Sequence, residues 1–268
     1  LSSANSINWG RLVPQIVYYF AAYAQLLKAG QIALGDAVDF CVPTGNFGDI
    51  LAGYYAKQMG LPVGKLVCAS NENNVLTDFL TTGTYTARRA FYKTTSPSMD
   101  ILVSSNLERL LYHVTGSDTE VASLMKQLNE TGSYTVRPET LAAIQESFAC
   151  GWSSKAQVAG EIRARYEQDH YLCDTHTAVA FHVAAQHKRD GVPMVVLSTA
   201  SPFKFPRSVL EALGHAAPAN DFEAMQQLEE ATGCTAPASL SALRQKAERF
   251  HTVIDPEQIA QVALRYQA

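Results

Sequence analysis

Val42-Pro43-Thr44-Gly45-Asn46-Phe47-Gly48-Asp49 is the stretch whose reading decides the fold. It follows an apolar run, Ala37-Val38-Asp39-Phe40-Cys41, that reads as a buried strand. It precedes Ile50-Leu51-Ala52-Gly53-Tyr54-Tyr55-Ala56-Lys57, which reads as helix. A glycine-punctuated turn between strand and helix aims several backbone N–H groups at one point, and the positive end of the helix dipole adds to their field. Such a turn suits a phosphate. Gly45 and Gly48 permit close backbone approach, while Thr44 and Asn46 offer side-chain hydrogen bonds. Neither G-x-G-x-x-G nor G-x-x-x-x-G-K-S/T occurs, which argues against dinucleotide and triphosphate loops. Local chemistry leaves an ordinary strand-to-helix turn as the alternative.

Outward from this turn, strands and helices alternate. A helix over 11–29 leads through Gly30 and Gly35 to the first strand. Leu61-Pro62 leads to a second, Lys65-Leu66-Val67-Cys68-Ala69, followed by a helix over 75–82. Pro193-Met194-Val195-Val196-Leu197-Ser198 reads as a third strand. The alternation predicts an α/β fold: an open parallel sheet with flanking helices. Residues 98–190 read as a mainly helical excursion, with Ser133-Tyr134-Thr135-Val136 as one short extended piece. Residues 206–268 read as a helical tail, broken at Ala217-Pro218 and Thr235-Ala236-Pro237. The whole of 1–268 is read as one α/β domain.

A chain of 268 residues can bury a substantial core, and 47% hydrophobic with 17% charged residues is the balance of a soluble globular protein. A formal net charge of -4 gives no electrostatic case for nucleic acid. No apolar run reaches the length of a membrane span. The five cysteines, odd in number and without a C-x-x-C pair, point to a reduced, cytoplasmic setting. His170, Cys173 and His176 have a metal-like spacing but lack a fourth ligand, so no metal is expected.

Two further polar clusters stand out. Leu197 leads into Ser198-Thr199-Ala200-Ser201-Pro202, hydroxyls at the carboxyl end of a strand, where open α/β sheets gather their ligands. Capping of a helix that begins near Pro206 is the alternative. At the start of the chain, Ser3, Asn5, Ser6 and Asn8 supply more donors than a helix cap needs, and Arg11 suits a phosphate or a carboxylate.

Together these clusters resemble the threonine synthase family, pyridoxal-phosphate enzymes of fold type II. The resemblance rests on Ser3-Ala4-Asn5-Ser6-Ile7-Asn8 with Arg11 and on Pro43-Thr44-Gly45-Asn46-Phe47-Gly48-Asp49. It rests also on Leu197-Ser198-Thr199-Ala200-Ser201-Pro202 with Lys204-Phe205. The Gly-Asn-Phe-Gly-Asp form is similar to the bacterial and fungal branch. The resemblance implies pyridoxal 5'-phosphate as cofactor, its phosphate held by Gly45, Asn46, Phe47, Gly48 and Asp49, with the Thr199 hydroxyl at its pyridine nitrogen. It implies Asn5, Ser6 and Arg11, with help from Asn46, around the phosphate of O-phosphohomoserine. Lys204 is either a further charge near that site or a solvated surface lysine. The activity implied is a carbon–oxygen lyase acting on a phosphate ester, converting O-phosphohomoserine and water to threonine and phosphate.

The family carries its Schiff-base lysine in a Phe-Lys-Asp segment upstream of the Ser-Ala-Asn-Ser motif, and no Phe-Lys-Asp occurs here. The expectation is a C-terminal portion with no catalytic residue of its own. It is expected to be inactive alone and to be partnered by the N-terminal half of the same protein. Two departures qualify the resemblance. Thr175 stands before His176 where the family commonly has proline, and Ser201 stands where many members have histidine, so it assigns no role to His176. A phospho-lyase or amino-acid dehydratase of the same fold, and a non-catalytic module that binds a phosphorylated ligand, remain as alternatives.

Overall fold

The computed structural model describes residues 5–247, 249 and 251–265, so Ser3 and Ala4 of the opening motif lie outside the described residues. The elements run α1 (Trp9–Lys28), β1 (Val38–Pro43), α2 (Gly48–Gln58), β2 (Val63–Ser70), α3 (Val75–Thr82) and β3 (Thr84–Thr86). They continue α4 (Leu107–Thr115), α5 (Asp118–Thr131), β4 (Ser133–Thr135), α6 (Pro138–Ser147), β5 (Phe148–Trp152) and α7 (Lys155–Asp169). The last are α8 (Thr175–Gln186), β6 (Met194–Val196), α9 (Pro206–Ala212), α10 (Asp221–Thr232), α11 (Ala238–Ser241) and α12 (Ile259–Arg265).

The main sheet is parallel, in the order β5-β2-β1-β6. Its two central strands are buried on both faces, and the two-residue side-chain period sorts them into separate cores. Val38, Phe40 and Val42 of β1, with Leu66 and Cys68 of β2, pack against α1 to α6. Cys41, Val67 and Ala69 point the other way, against α7 to α10. The result is an α/β/α sandwich, the open parallel sheet with flanking helices that the alternation predicts. A second, two-stranded antiparallel sheet pairs β3 with β4. β4 coincides with the short extended piece expected at 133–136.

Three features differ from the sequence reading. The 98–190 stretch contains a strand of the main sheet, β5, beside β2 in the register Leu66↔Phe148 to Ser70↔Trp152. Phe148-Ala149-Cys150-Gly151-Trp152 has strand-favouring residues only at its two ends and follows α6 without a break, so neither a continuous preference nor punctuation marks it. The third strand is shorter than 193–198, spanning only Met194–Val196. After Thr232 the described residues of the tail carry only the short helices α11 and α12 and two turns of 3₁₀ helix.

The order β5-β2-β1-β6 makes the β1/β6 boundary the topological switch point. Successive strands grow away from β1 on one side, and the last returns to its other side. Arg189, just ahead of β6, clamps this boundary by donating to the buried Asp39 of β1 through Nε at 2.8 Å and a terminal nitrogen at 2.6 Å. The Lys65 N–H donates to the same carboxylate at 2.6 Å, tying in β2. Among the described residues the outer edge of β6 has no strand partner, and Met194–Val196 are only partly buried. α1, packed on α2, buries Leu12, Tyr19 and Tyr23 but leaves Val13, Val17 and Phe20 exposed on its outer face.

Candidate functional site

At the carboxyl ends of β1 and β6 lies a cavity of about 680 Å³, a size ordinary for small-molecule sites. The turn after β1 gives it Pro43, Gly45, Asn46 and Asp49. The segment after β6 gives Leu197, Ser198, Thr199, Ala200 and Lys204. α1 contributes Arg11, Gln15 and Tyr18, whose spacing of four and three residues sets them on one helical face. Ser98, Met99 and His176 complete the wall.

The glycine turn is built from several directions. Thr44 stays in register with β2 through its N–H to the Ala69 carbonyl at 2.8 Å. Its hydroxyl donates to the Val42 carbonyl at 2.7 Å, so the side-chain bond expected of Thr44 is spent inside the chain. A segment that sequence reading missed, Ser104-Ser105-Asn106, braces the turn from behind. Ser104 Oγ donates to the Gly45 carbonyl at 2.6 Å, and Ser105 Oγ donates to Asn46 Oδ1 at 2.9 Å. The Phe47 N–H donates to the Ser105 carbonyl at 2.8 Å. Asn106 adopts a φ of +76° and donates from Nδ2 to the Ser6 carbonyl at 3.0 Å. In sequence these residues fall within the 98–190 stretch that reads as a mainly helical excursion.

The resulting cup is tight. A Cβ at Gly45 would stand 2.8 Å from Met99 Cα, and one at Gly48 would stand 3.2 Å from Asn106 Nδ2. α2 begins at Gly48 with no side-chain cap. Its first-turn N–H groups therefore have no intrahelical partner and face outward for an anion. Phe47 is fully buried, with its ring 5.5 Å from Phe148, so it shapes the turn from inside and its side chain does not reach the cavity.

Asp49 lies on the cavity wall. Burial pushes its carboxyl up to about 6, and the hydrogen bond from Tyr19 works in the opposite direction. Tyr19 Oη donates to the Asp49 carbonyl at 2.8 Å and approaches Oδ1 at 3.4 Å. Below about pH 6 the protonated Asp49 can donate to an anion rather than repel it.

The other predicted residues divide. Arg11 and Thr199 line the same cavity as the glycine turn, so the structure brings all three sequence clusters to one place. Asn5 and Ser6 do not line it. Asn5 is exposed, and Ser6 Oγ sits 2.9 Å from Ser105 Oγ as part of the bracing behind the turn. Asn8 caps α1 by accepting from the Gly10 N–H at 2.9 Å. Lys204 is exposed at the cavity rim, with Nζ 5.5 Å from the centre of the Phe205 ring. The capping alternative for Ser198 and Thr199 fails. Ser201 caps a 3₁₀ turn over Pro202–Lys204, and α9 starts at Pro206 without a side-chain cap. Gln15 and Tyr18 also line the cavity. Their signal is spacing: Gln15 stands four and Tyr18 seven residues after Arg11, on one helical face.

Comparison with known proteins agrees with this geometry. The family model described as "Threonine synthase, C-terminal" matches residues 177–263. The chain is 45% identical over 215 residues to "Threonine synthase-like 1" of Pongo abelii, covering 80% of this chain and 29% of that protein. It is 41% identical over 238 residues to "Threonine synthase" of Schizosaccharomyces pombe, covering 80% of this chain and 46% of that protein. The crystal structure of PLP-bound threonine synthase from Brucella melitensis superposes with a TM-score of 0.84 at 41% identity. That match covers 99% of this chain and 53% of that one. The sheet order and the position of the cavity define an α/β scaffold of the class to which that PLP-bound enzyme belongs. Within that class, the chain belongs to the threonine synthase family. It spans about half the length, or less, of the relatives it matches.

Proposed function

We propose that this chain supplies the cofactor seat of a threonine synthase, holding pyridoxal 5'-phosphate while O-phosphohomoserine is converted to threonine and phosphate. The observation that carries the reading is the meeting, in one cavity, of the uncapped glycine turn at 45–49 with Thr199 at the end of β6 and Arg11 on α1. The residues present fit the cofactor. The phosphate needs converging N–H donors and a backbone it can approach closely, and Gly45 and the first turn of α2 offer both. When bound, the cofactor supplies an electron sink that eases proton loss from carbons next to the substrate amine.

In this reading the N–H groups of Gly45, Asn46, Gly48 and Asp49 hold the cofactor phosphate, while Phe47, whose own N–H is spent on Ser105, fixes their direction from the core. Thr199 places a hydroxyl at the pyridine nitrogen. A hydroxyl does not hold a proton there as a carboxylate would. Arg11 binds the phosphate of the substrate as a charge-assisted partner. Asn46 has its Oδ1 committed to Ser105, so it helps through its amide nitrogen. Ser6 acts behind the turn through Ser105 and Asn106, and Asn5 lies exposed at the start of the chain.

The lysine that moves protons in the family comes from outside this sequence, in which no Phe-Lys-Asp occurs. The upstream half of the same protein would bring it, seated on the unpaired edge of β6 and the exposed Val13, Val17 and Phe20 stripe of α1. The matched relatives are longer than this chain, and α1 carries this stripe on a face other than the Arg11, Gln15 and Tyr18 face that lines the cavity. Full-length protein given O-phosphohomoserine is expected to release threonine and phosphate in equal amounts, while the 268-residue chain alone releases neither. Release of 2-oxobutanoate in place of threonine would establish a phospho-lyase. No turnover by the full-length protein would leave the binding module.

A further inference from the structure

We infer that Asp174, acting through His176 and Thr177, is a positioning residue that sets both walls of the cavity. It holds the 94–101 loop over Gly45 on one side and the Ser198-Thr199 strand end on the other.

Asp174 is fully buried and precedes α8, whose first N–H groups it caps. A cap accounts for its bonds from the His176 and Thr177 N–H groups. It does not account for the two side chains that also converge on this carboxylate. His176 Nδ1 lies 2.9 Å from Oδ1, and the Thr177 hydroxyl donates to Oδ2.

The imidazole continues in a defined direction. A backbone N–H can only donate, so Nε2 of His176 accepts from the Ser98 N–H at 3.3 Å. The ring proton is therefore on Nδ1, directed at Asp174. The ring is 3% exposed and packs 4.7 Å from the Phe205 ring, so it has no room to turn. The Ser98 that it holds belongs to the loop that touches the glycine cup. Met99 Cα and the Ser98 carbonyl are the atoms that a Cβ on Gly45 would meet first, at 2.8 and 3.1 Å. The far side of the loop is fixed independently. Asn71 Nδ2 and Asn73 Nδ2 donate to Asp100 Oδ1 at 2.8 and 3.0 Å, and the Thr94 N–H donates to Asp100 Oδ2 at 2.9 Å.

The second arm runs the other way. Thr177 Oγ1 lies 3.4 Å from Ser198 Oγ, which also receives the Tyr171 hydroxyl at 3.2 Å. Ser198 is the residue before Thr199, so this arm sets where the Thr199 hydroxyl stands. One buried carboxylate thus couples the seat of the phosphate to the opposite wall.

The inference rests on the proposed cofactor only for the meaning of the cavity, and its test separates the two. Gln at 176 puts an acceptor near the place of Nε2 and keeps the Ser98 bond. Asn at 176 mimics Nδ1 and keeps only the Asp174 bond. Amide exchange measured by mass spectrometry on the 268-residue chain is expected to rise about tenfold over 94–101 in His176→Asn, the factor for one lost hydrogen bond. In His176→Gln it should stay within about threefold of the original. Thr177→Val should raise exchange over 197–201 and leave 94–101 unchanged. Affinity for 4'-deoxypyridoxine 5'-phosphate, a cofactor analogue without the aldehyde, should fall about tenfold in His176→Asn and little in His176→Gln. Equal behaviour of Gln and Asn at 176, or a uniform rise in exchange across α8 and the sheet, would show a core residue and overturn the inference. Exchange that follows the expected pattern with no analogue binding in any variant would support the positioning role and count against the cofactor reading.

Discussion

Gly45→Ala tests the shape of the cup most sharply. The added methyl would stand 2.8 Å from Met99 Cα, 3.1 Å from the Ser98 carbonyl and 3.2 Å from Ile101 Cδ1. Non-bonded carbons settle at roughly 3.5–4.0 Å, so about 1 Å of relief is needed. Two of the three neighbours are backbone and cannot rotate away. Their loop is pinned by Asp100 on one side and by His176 on the other. Overpacking of this kind costs about 1–3 kcal/mol, and the pinned loop puts the cost toward the upper end. Gly48→Ala is the internal contrast. Its nearest neighbour, at 3.2 Å, is the side-chain amide of Asn106, which can give way, so a cost below about 1 kcal/mol is expected. Gly160→Ala meets nothing within 4 Å in an exposed part of α7 and should stabilise by about 0.5–1 kcal/mol. Urea unfolding of the three variants gives the free energies from midpoints at constant slope. A Gly45→Ala protein as stable as the original, with an unaltered affinity for inorganic phosphate, would refute the close contact between loop and cup.

Three further outcomes follow from the same geometry. Arg189→Ala removes both guanidinium bonds to the buried Asp39 carboxylate while the Lys65 N–H bond stays, and should destabilise by about 2–3 kcal/mol in urea unfolding. Arg189→Lys should recover part of that. Burial raises Asp49 from 3.8 to about 6, so the folded chain holds a proton that the unfolded chain releases. Stability should then be greatest below pH 4 as far as this group is concerned, and fall as pH rises from about 4 to 6. Asp49→Asn should flatten that slope and gain about 1 kcal/mol at pH 7, a figure reduced for screening at the cavity wall. Replacing Val17, which is 62% exposed, by Lys should reduce self-association of the isolated chain in light scattering. Unchanged association would count against the α1 stripe as a covered surface.

Much of the fold was legible because the central strands are apolar runs with clear glycine and proline boundaries. Val38–Pro43 and Val63–Ser70 needed no tertiary information. β5 was hidden because Ala149, Cys150 and Gly151 carry no strand preference. Their place in the sheet comes from pairing with β2, which acts at long range in sequence. The site divides in the same way. Gly45, Asn46, Asp49, Arg11 and Thr199 stand in motifs whose chemistry can be read locally. Ser104, Ser105, Asn71, Asn73 and His176 act by bonding to segments distant in sequence, and nothing in their immediate neighbours reports those partners. Phe47 and Ser6 show the converse. Each belongs to a recognisable motif, yet one is spent on the core and the other on bracing.

The central claim is that the turn at 45–49 seats a phosphate carried by a pyridine ring. Calorimetric titration of the chain with 4'-deoxypyridoxine 5'-phosphate, beside the same ring without its phosphate, tests it directly. Saturable one-to-one binding of the phosphorylated ring alone, displaced by inorganic phosphate and weakened at least tenfold by Gly45→Ala, is the expected result, a factor equivalent to about 1.4 kcal/mol. Equal binding of the two rings, or binding that Gly45→Ala leaves unchanged, would contradict it.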